Sequence, residues 1–356
     1  MDHGWNSVAY QILNPGFDYW FSQDGNATAG YTRHSNRWII AGAPVCAPDF
    51  LSPAIDELHH AARRDDCSIC FFGAAERLIH HSGFRTPHNV LPLGAQPVWD
   101  PRNWTDHFLA NSSLRAQINR ARNKSVSVQT HTCGPRPDPQ SLQSILHEWL
   151  TRHPMPPLHF LTEPHIHHDL TDRRLFTAAR DGQLCGYLVA TPIPARNGWL
   201  IEQIIRHPRL APNGTTELLL HTAVSHFAQA GHSYVTLGLA PLATPDAAPR
   251  AAQPWVRLLL YWLRQHGNRF YNFKGLENFK TKFQPEDWEP IYAFTSEPRF
   301  TPRTLWAIAA AFSHQGSPVG HISQALLYAL RHEARQATRT WHSICNSQGK
   351  SIISSE

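Results

Sequence analysis

The sequence predicts an α/β protein of two related domains in tandem, each a mixed, mostly antiparallel sheet flanked by helices. Three observations point there. The chain has 356 residues, long for one core and comfortable for two, and its 42% hydrophobic and 17% charged residues are the balance of a packed protein. Short β-branched or aromatic runs alternate with amphipathic helical runs along most of its length. Proline-rich stretches, 135–139 and HPMPPLHF at 153–160, divide it near the middle.

The elements follow in order. Residues 29–34 and 38–43 read as strands after the turn Asp24-Gly25-Asn26. Residues 52–64 read as a helix, with Ser52 as N-cap and Pro53 in first position. A short buried strand at 67–72, a helix at 74–81 ending at Gly83, a strand at 90–99 and a basic helix at 113–124 complete the first half. A helix at 141–152 leads into the link. The second half restarts with strands at 175–179, 183–191 and 198–206, the first two joined by the turn Asp181-Gly182. Residues 215–230 are the clearest helix, with Leu218, Leu219, Ala223, Val224 and Phe227 on one face and Gly231 closing it. A strand at 233–239 and an amphipathic helix at 254–266 come next, and two short helical patterns follow residue 300. Strand, strand, loop, helix, strand, helix is the order of an acetyltransferase-like (GNAT) sheet, and the first half carries a blurred copy. The expected division is an N-terminal domain at 1–140, a linker at 141–165, a catalytic domain at 166–300 and a helical tail at 301–356.

The formal charge of +5 and pI near 9.0 favour an anionic partner, whether nucleic acid, anionic lipid or a phosphorylated ligand. No apolar run approaches the about 18–20 residues of a membrane span, and no signal peptide opens the chain. The expected location is the cytoplasm, with peripheral contact at the inner membrane surface left open. Six cysteines do not make a disulfide framework. Cys67 and Cys70 have zinc-ligand spacing without a second pair, and His165, His167, His168 and Asp169 lie in the link, so no metal is expected.

Two stretches carry candidate chemistry. APNGTTELLL (211–220) runs a loop into a helix start, where unpaired N–H groups attract anions, or simply caps the helix. Pro212 removes a donor there and a second glycine is missing, which argues against a coenzyme A pyrophosphate site. FYNFKGLENFKTKF (270–283) holds three of the chain's five lysines, framed by aromatic residues, in a protein that otherwise uses arginine. Lysine is a compact cation whose pKa falls on desolvation, suited to a phosphate, an oxyanion or a proton; the plain alternative is lysine stems lying over aromatic rings.

YNFKGLENFKTKFQPEDWEPIY resembles the signature of the C-terminal domain of bacterial phosphatidylglycerol lysyltransferases, the multiple peptide resistance factors, and their soluble relatives. IRHPRLAPNGTTELLL and VTLGLAPLA (235–243) resemble neighbouring blocks in the same order, and CFFGAAERL, LPLGAQPVWD and LRAQINRARNK resemble weaker ones upstream. The resemblance covers about residues 20–300. It implies tandem acetyltransferase-like domains that use aminoacyl-tRNA in place of acetyl coenzyme A, with no other cofactor, and move an amino acid onto a lipid or small-molecule hydroxyl or amine. It implies Lys274, Glu217 and Arg206 as catalytic, and Glu202, Gln203, Asn213, Gly214, Thr215, Gly238, Phe273, Lys280 and Lys282 as substrate-binding. Glu217 or Glu202 would hold the α-ammonium. The basic helix, with Arg115, Arg120, Arg122 and Lys124, would track tRNA phosphates or be a solvated face. Two features depart from the family: the membrane-embedded flippase is absent from this chain, and Gln203 stands where the lysyltransferases carry Asp, which leaves the amino acid open. The rival readings are an acyl-coenzyme A N-acyltransferase and a non-catalytic module that binds tRNA or anionic lipid.

Overall fold

The structure, a computed structural model, describes residues 1–80, 89–131, 137–152, 160–162, 164, 170–243, 253–266 and 273–313. It opens with an antiparallel meander of β1 (Asp18–Phe21), β2 (Thr28–His34) and β3 (Arg37–Ala41). Helix α1 (Leu51–Arg64) then crosses to β4 (Ser68–Ala75), parallel to β3. β5 (Val90–Trp99), α2 (Trp104–Ala110) and α3 (Ser112–Arg122) follow. The plan then repeats. β6 (Val126–His131), α4 (Pro139–Leu150), β7 (Arg174–Arg180), β8 (Gln183–Ile193) and β9 (Gly198–Arg206) give a second antiparallel meander, flanked by α4. Helix α5 (Thr215–Gln229) crosses to β10 (Tyr234–Thr236), parallel to β9. Last come β11 (Ala240–Pro241), α6 (Pro254–His266), α7 (Phe273–Thr281), β12 (Asp287–Thr295) and α8 (Pro302–Ala311).

The strands form one continuous sheet in the order β1-β2-β3-β4-β12-β5-β10-β9-β8-β7-β6, with β11 against β5. The seam is an exchange. β12 from the second half pairs with β4, while β5 from the first half pairs with β10 and β11. β5 and β12 pair with each other along most of their length. Gly94 makes the seam close, since a Cβ there would lie 2.2 Å from the Ala240 carbonyl oxygen.

Helices α1 and α5 pack on one face of the sheet. α1 buries Leu51, Ile55 and Leu58 against Ile69, Phe71, Tyr292 and Phe294. α5 and α3 together bury Leu114, Ile118, Leu219, Ala223 and Phe227 against Trp99, Phe176 and Leu188. On the other face, the N-terminal segment and α8 cover Ile39, Cys70 and Ala293, and α4 covers Tyr187, Val189 and Ile205. At about 2 kcal/mol for each large apolar side chain buried, these two layers dominate the fold's stability.

Three elements differ from expectation. β4 continues through Ala75 because Tyr292 and Ile291 pair with Ala74 and Ala75, and only a 3-10 turn at Glu76–His80 follows. Cross-strand pairing there outweighs the helix propensity of Ala-Ala-Glu-Arg-Leu. Ser52 is not a cap, since α1 continues directly from a 3-10 turn that Pro48 opens. The strand expected at 233–239 stops at Thr236, because Gly238 takes φ 68° and turns the chain toward β5. Among the described residues no helix is long and apolar enough to cross a membrane.

Candidate active site

The parallel pair β9–β10 parts after three residues. Tyr234–Thr236 pairs with 198–200, but β9 runs on to Arg206 while the chain after β10 turns away. The result is a notch between 201–206 on one side and Leu237–Leu239 on the other. Helix α5 packs against β9, and α7 packs against β11.

The lysine-rich segment closes this corner. Lys280, at the end of α7, is buried, and its Nζ donates to the carbonyls of Gly238 and Leu239, both at 2.7 Å. Burial pulls its ammonium from an ordinary 10.5 down to about 7. Lys282 Nζ pairs with the Glu217 carboxylate in the first turn of α5. The backbone at 282–283 is gripped from the first half of the chain. Asn111 Nδ2 donates to the Lys282 carbonyl at 3.2 Å, and Trp99 Nε1 and His107 Nε2 donate to that of Phe283 at 3.1 and 2.6 Å. Phe283 itself is buried and meets Phe279 edge-on. The aromatic frame therefore anchors the segment while the lysine head groups reach polar partners.

Asn111 has a second task, since its Oδ1 accepts from Leu114 N at 3.0 Å and caps α3. One amide thus ties the lysine segment to the basic helix. Arg120 and Arg122 on α3 and Lys124 just after it are exposed, whereas Arg115 folds back to donate to the Phe108 and Leu109 carbonyls at the end of α2. The apolar side of α3 packs on α5. Gly214, at φ 97°, is where the two helices touch: a Cβ on it would sit 1.9 Å from the Gln117 carbonyl oxygen. Thr215 is buried there and its hydroxyl donates to the Pro212 carbonyl, while Asn213 stays exposed. At this helix start α3 approaches the backbone at Gly214, leaving no room there for a larger group.

Other predicted residues fall elsewhere. Glu202 and Gln203 occupy a bulge in β9 and point to the sheet face opposite α5. Glu202 is taken by Arg173, Nε to Oε2 at 3.2 Å, with both side chains almost fully buried. Burial raises the Glu202 carboxyl, with Arg173 and Gln11 opposing. Gln203 Nε2 donates to the Pro164 carbonyl at 2.9 Å. Arg206 is exposed at the end of β9. Lys274 is exposed on the first turn of α7, about 9 Å along the axis from Lys280 and about 120° round the helix. The Phe273 side chain, Phe270, Tyr271 and the histidines at 165, 167 and 168 lie outside the described residues. Cys67 and Cys70 are both buried in and beside β4, and burial raises both thiols. Among the described residues no three His, Cys, Asp or Glu side chains gather as a metal set.

Two polar networks carry no short-range sequence signal. Arg173 also donates to Asn14 Oδ1 at 3.1 Å and stacks over Tyr10, whose hydroxyl bonds Asp172. At the seam, Gln96 accepts from Ser7 at 2.7 Å and donates to Tyr234 and Glu289 at 2.9 and 3.0 Å. Arg196 grips Glu289 through both nitrogens, at 2.7 and 2.6 Å, and lies 3.6 Å over the Tyr234 ring. Burial pushes the Glu289 carboxyl up, but Arg196, Gln96 and Tyr234 hold it below its ordinary value. The N-terminal segment, unassigned from sequence, brings both networks to the face behind the notch.

The family model described as phosphatidylglycerol lysyltransferase, C-terminal, matches residues 1–295. A phosphatidylglycerol lysyltransferase of Bacillus subtilis (strain 168) is 22% identical over 280 residues, 77% of this chain and 31% of the relative. The chain therefore spans under a third of that relative's length. The solved structure of L-PGS from Bacillus licheniformis superposes with a TM-score of 0.70 at 20% identity, covering 87% of this chain and 94% of that one. The C-terminal domain of a proposed lysylphosphatidylglycerol synthetase from Agrobacterium fabrum gives 0.69 at 21%, with the same coverage. Both share the fold found here. The chain belongs to the phosphatidylglycerol lysyltransferase C-terminal family.

Proposed function

We propose that the chain transfers an aminoacyl group from aminoacyl-tRNA to the hydroxyl or amine of a lipid or small-molecule acceptor, with the reacting ester at the β9–β10 notch. The observation that carries this reading is the corner where Glu217, Lys282 and the Lys280 grip meet beside the opened strands, in a chain of this family. An aminoacyl ester is already activated, so the site needs position and charge rather than a nucleophile. The acceptor oxygen or nitrogen bonds the aminoacyl carbonyl carbon, the bond to the ribose oxygen breaks, and the acceptor proton passes to that ribose oxygen. Glu217 holds the α-ammonium, while Lys282, Lys274 and Arg206 offer positive charge to the oxyanion and the terminal phosphate. Glu202, tied to Arg173, orders the sheet face behind the notch instead of meeting substrate. Arg120, Arg122 and Lys124 run the tRNA stem along α3, next to α5. The first half supplies the acceptor side, and no further cofactor takes part.

The buried contact of Gly214 with α3 favours this reading over coenzyme A, whose pyrophosphate needs that helix start open. The test mixes the protein with total tRNA charged with labelled amino acids and a lipid extract. A labelled lipid that disappears after RNase pretreatment of the tRNA is expected. Transfer from an acyl-coenzyme A donor that survives RNase would overturn the proposal.

A further inference from the structure

Helix α6 is apolar on two opposite sides. Val256 and Leu260 face the core shared with Ala307 and Ile308 of α8. At 100° per residue, Trp255, Leu258 and Trp262 form a stripe on the far side, flanked by Tyr261. These four are 39%, 69%, 47% and, for Tyr261, 63% exposed. A single exposed leucine needs no explanation, but four large apolar side chains on one helical face do.

We propose that this stripe docks the protein on an anionic lipid surface, with α6 lying in the interfacial plane. The residue types suit that environment: tryptophan and tyrosine place a ring among acyl chains and a polar edge at the head groups, and leucine supplies depth. Charge selects the partner. Residues 254–266 hold Arg257 and Arg264 and no acidic residue, and Arg257 is exposed. Helix α8, on the same core cluster, exposes Arg303 and Trp306 and also has no acid. A second copy would set arginine against arginine across a two-fold interface. Residues 314–356 carry four basic and two acidic residues, so the chain's own tail brings no net negative charge to complement this face. Anionic head groups complement it, at a membrane contact that no spanning helix is needed to make.

Flotation of the full chain with vesicles of phosphatidylserine and phosphatidylcholine tests the docking. This lipid is not the family's acceptor and no tRNA is present, so the result is independent of the transferase proposal. Wild type is expected to float with these vesicles, to float far less with pure phosphatidylcholine, and to show tryptophan quenching by brominated acyl chains. The Leu258→Ser/Tyr261→Ser variant is expected to keep its circular dichroism and to lose about tenfold in partitioning. Its floating as well as wild type would overturn the proposal. So would a wild-type dimer that this variant converts to monomer, which would assign the stripe to a second copy.

Discussion

The parallel pairs β3–β4 and β9–β10 are built on one plan and finish differently. All five residues of β3 pair with β4, whereas only three of the nine in β9 pair with β10. Helix α1 has no acid in its first turn, while α5 sets Glu217 there and meets Lys282. The closed pair is a wall. The open pair ends beside charged groups of α5 and the lysine segment. The same supersecondary unit thus serves as scaffold or site according to whether its ladder zips shut, and Gly238 with Lys280 keeps the second one open.

The largest contrast should be in buried charge. Arg173→Met strands Glu202 behind the open pair and should cost about 3–5 kcal/mol in urea denaturation. Arg37→Met in the closed pair leaves Glu297 partly in water and should cost only about 1–2 kcal/mol. Equal losses would break the comparison.

Lys282→Met should keep the fold and lower transfer about 100-fold in single-turnover rates, the scale of one lost electrostatic contact in an active site. Asn111→Asp keeps the cap on α3 but removes the donor to the Lys282 carbonyl, and should lower transfer about tenfold through position alone. Gly214→Ala must move α3 away from α5 and should cost about 2–3 kcal/mol. Gly25→Ala in the first half, at φ 74° with open space around it, should cost only about 1 kcal/mol.

Lys280 gives the contrast a pH dependence. Its pKa is about 7 folded against 10.5 ordinarily, so between those values the unfolded chain binds the extra proton. Stability therefore rises with pH through that window and is lowest below it. A neutral amine still has two N–H groups for its two carbonyls. Melting temperatures of wild type should rise relative to Lys280→Met from pH 7 to 9.5; parallel curves would show that burial does not tune this lysine. The smallest effect should come from α3, where Arg120→Gln and Arg122→Gln should each reduce the salt dependence of tRNA binding by about one ion in a filter-binding titration.

Much of this was readable from the residues because it is local. The helix expected at 215–230 and the strands expected at 183–191 and 198–206 announce themselves by period and are found at Thr215–Gln229, Gln183–Ile193 and Gly198–Arg206, and the lysine cluster stands out by its rarity. The seam was not readable. Pro290 interrupts the strand pattern of β12, and its partners β4 and β5 lie about 200 residues away in sequence. Glu202 looked available because Arg173 is 29 residues off and approaches from another strand's end. The N-terminal segment has no periodicity, yet it furnishes Ser7, Tyr10 and Asn14 to buried networks. Pairing across such separations is decided by packing, which single-residue patterns do not encode.

Under the proposed function, the open pair with its Glu217–Lys282 corner is where an aminoacyl ester reacts. The most direct measurement compares wild type, Lys282→Met and Glu217→Gln in RNase-sensitive transfer of labelled amino acid from charged tRNA to extracted lipid. Labelled lipid is expected with wild type, forming about 100-fold more slowly with either variant. Wild-type rates in both folded variants would contradict it and move the chemistry away from the notch.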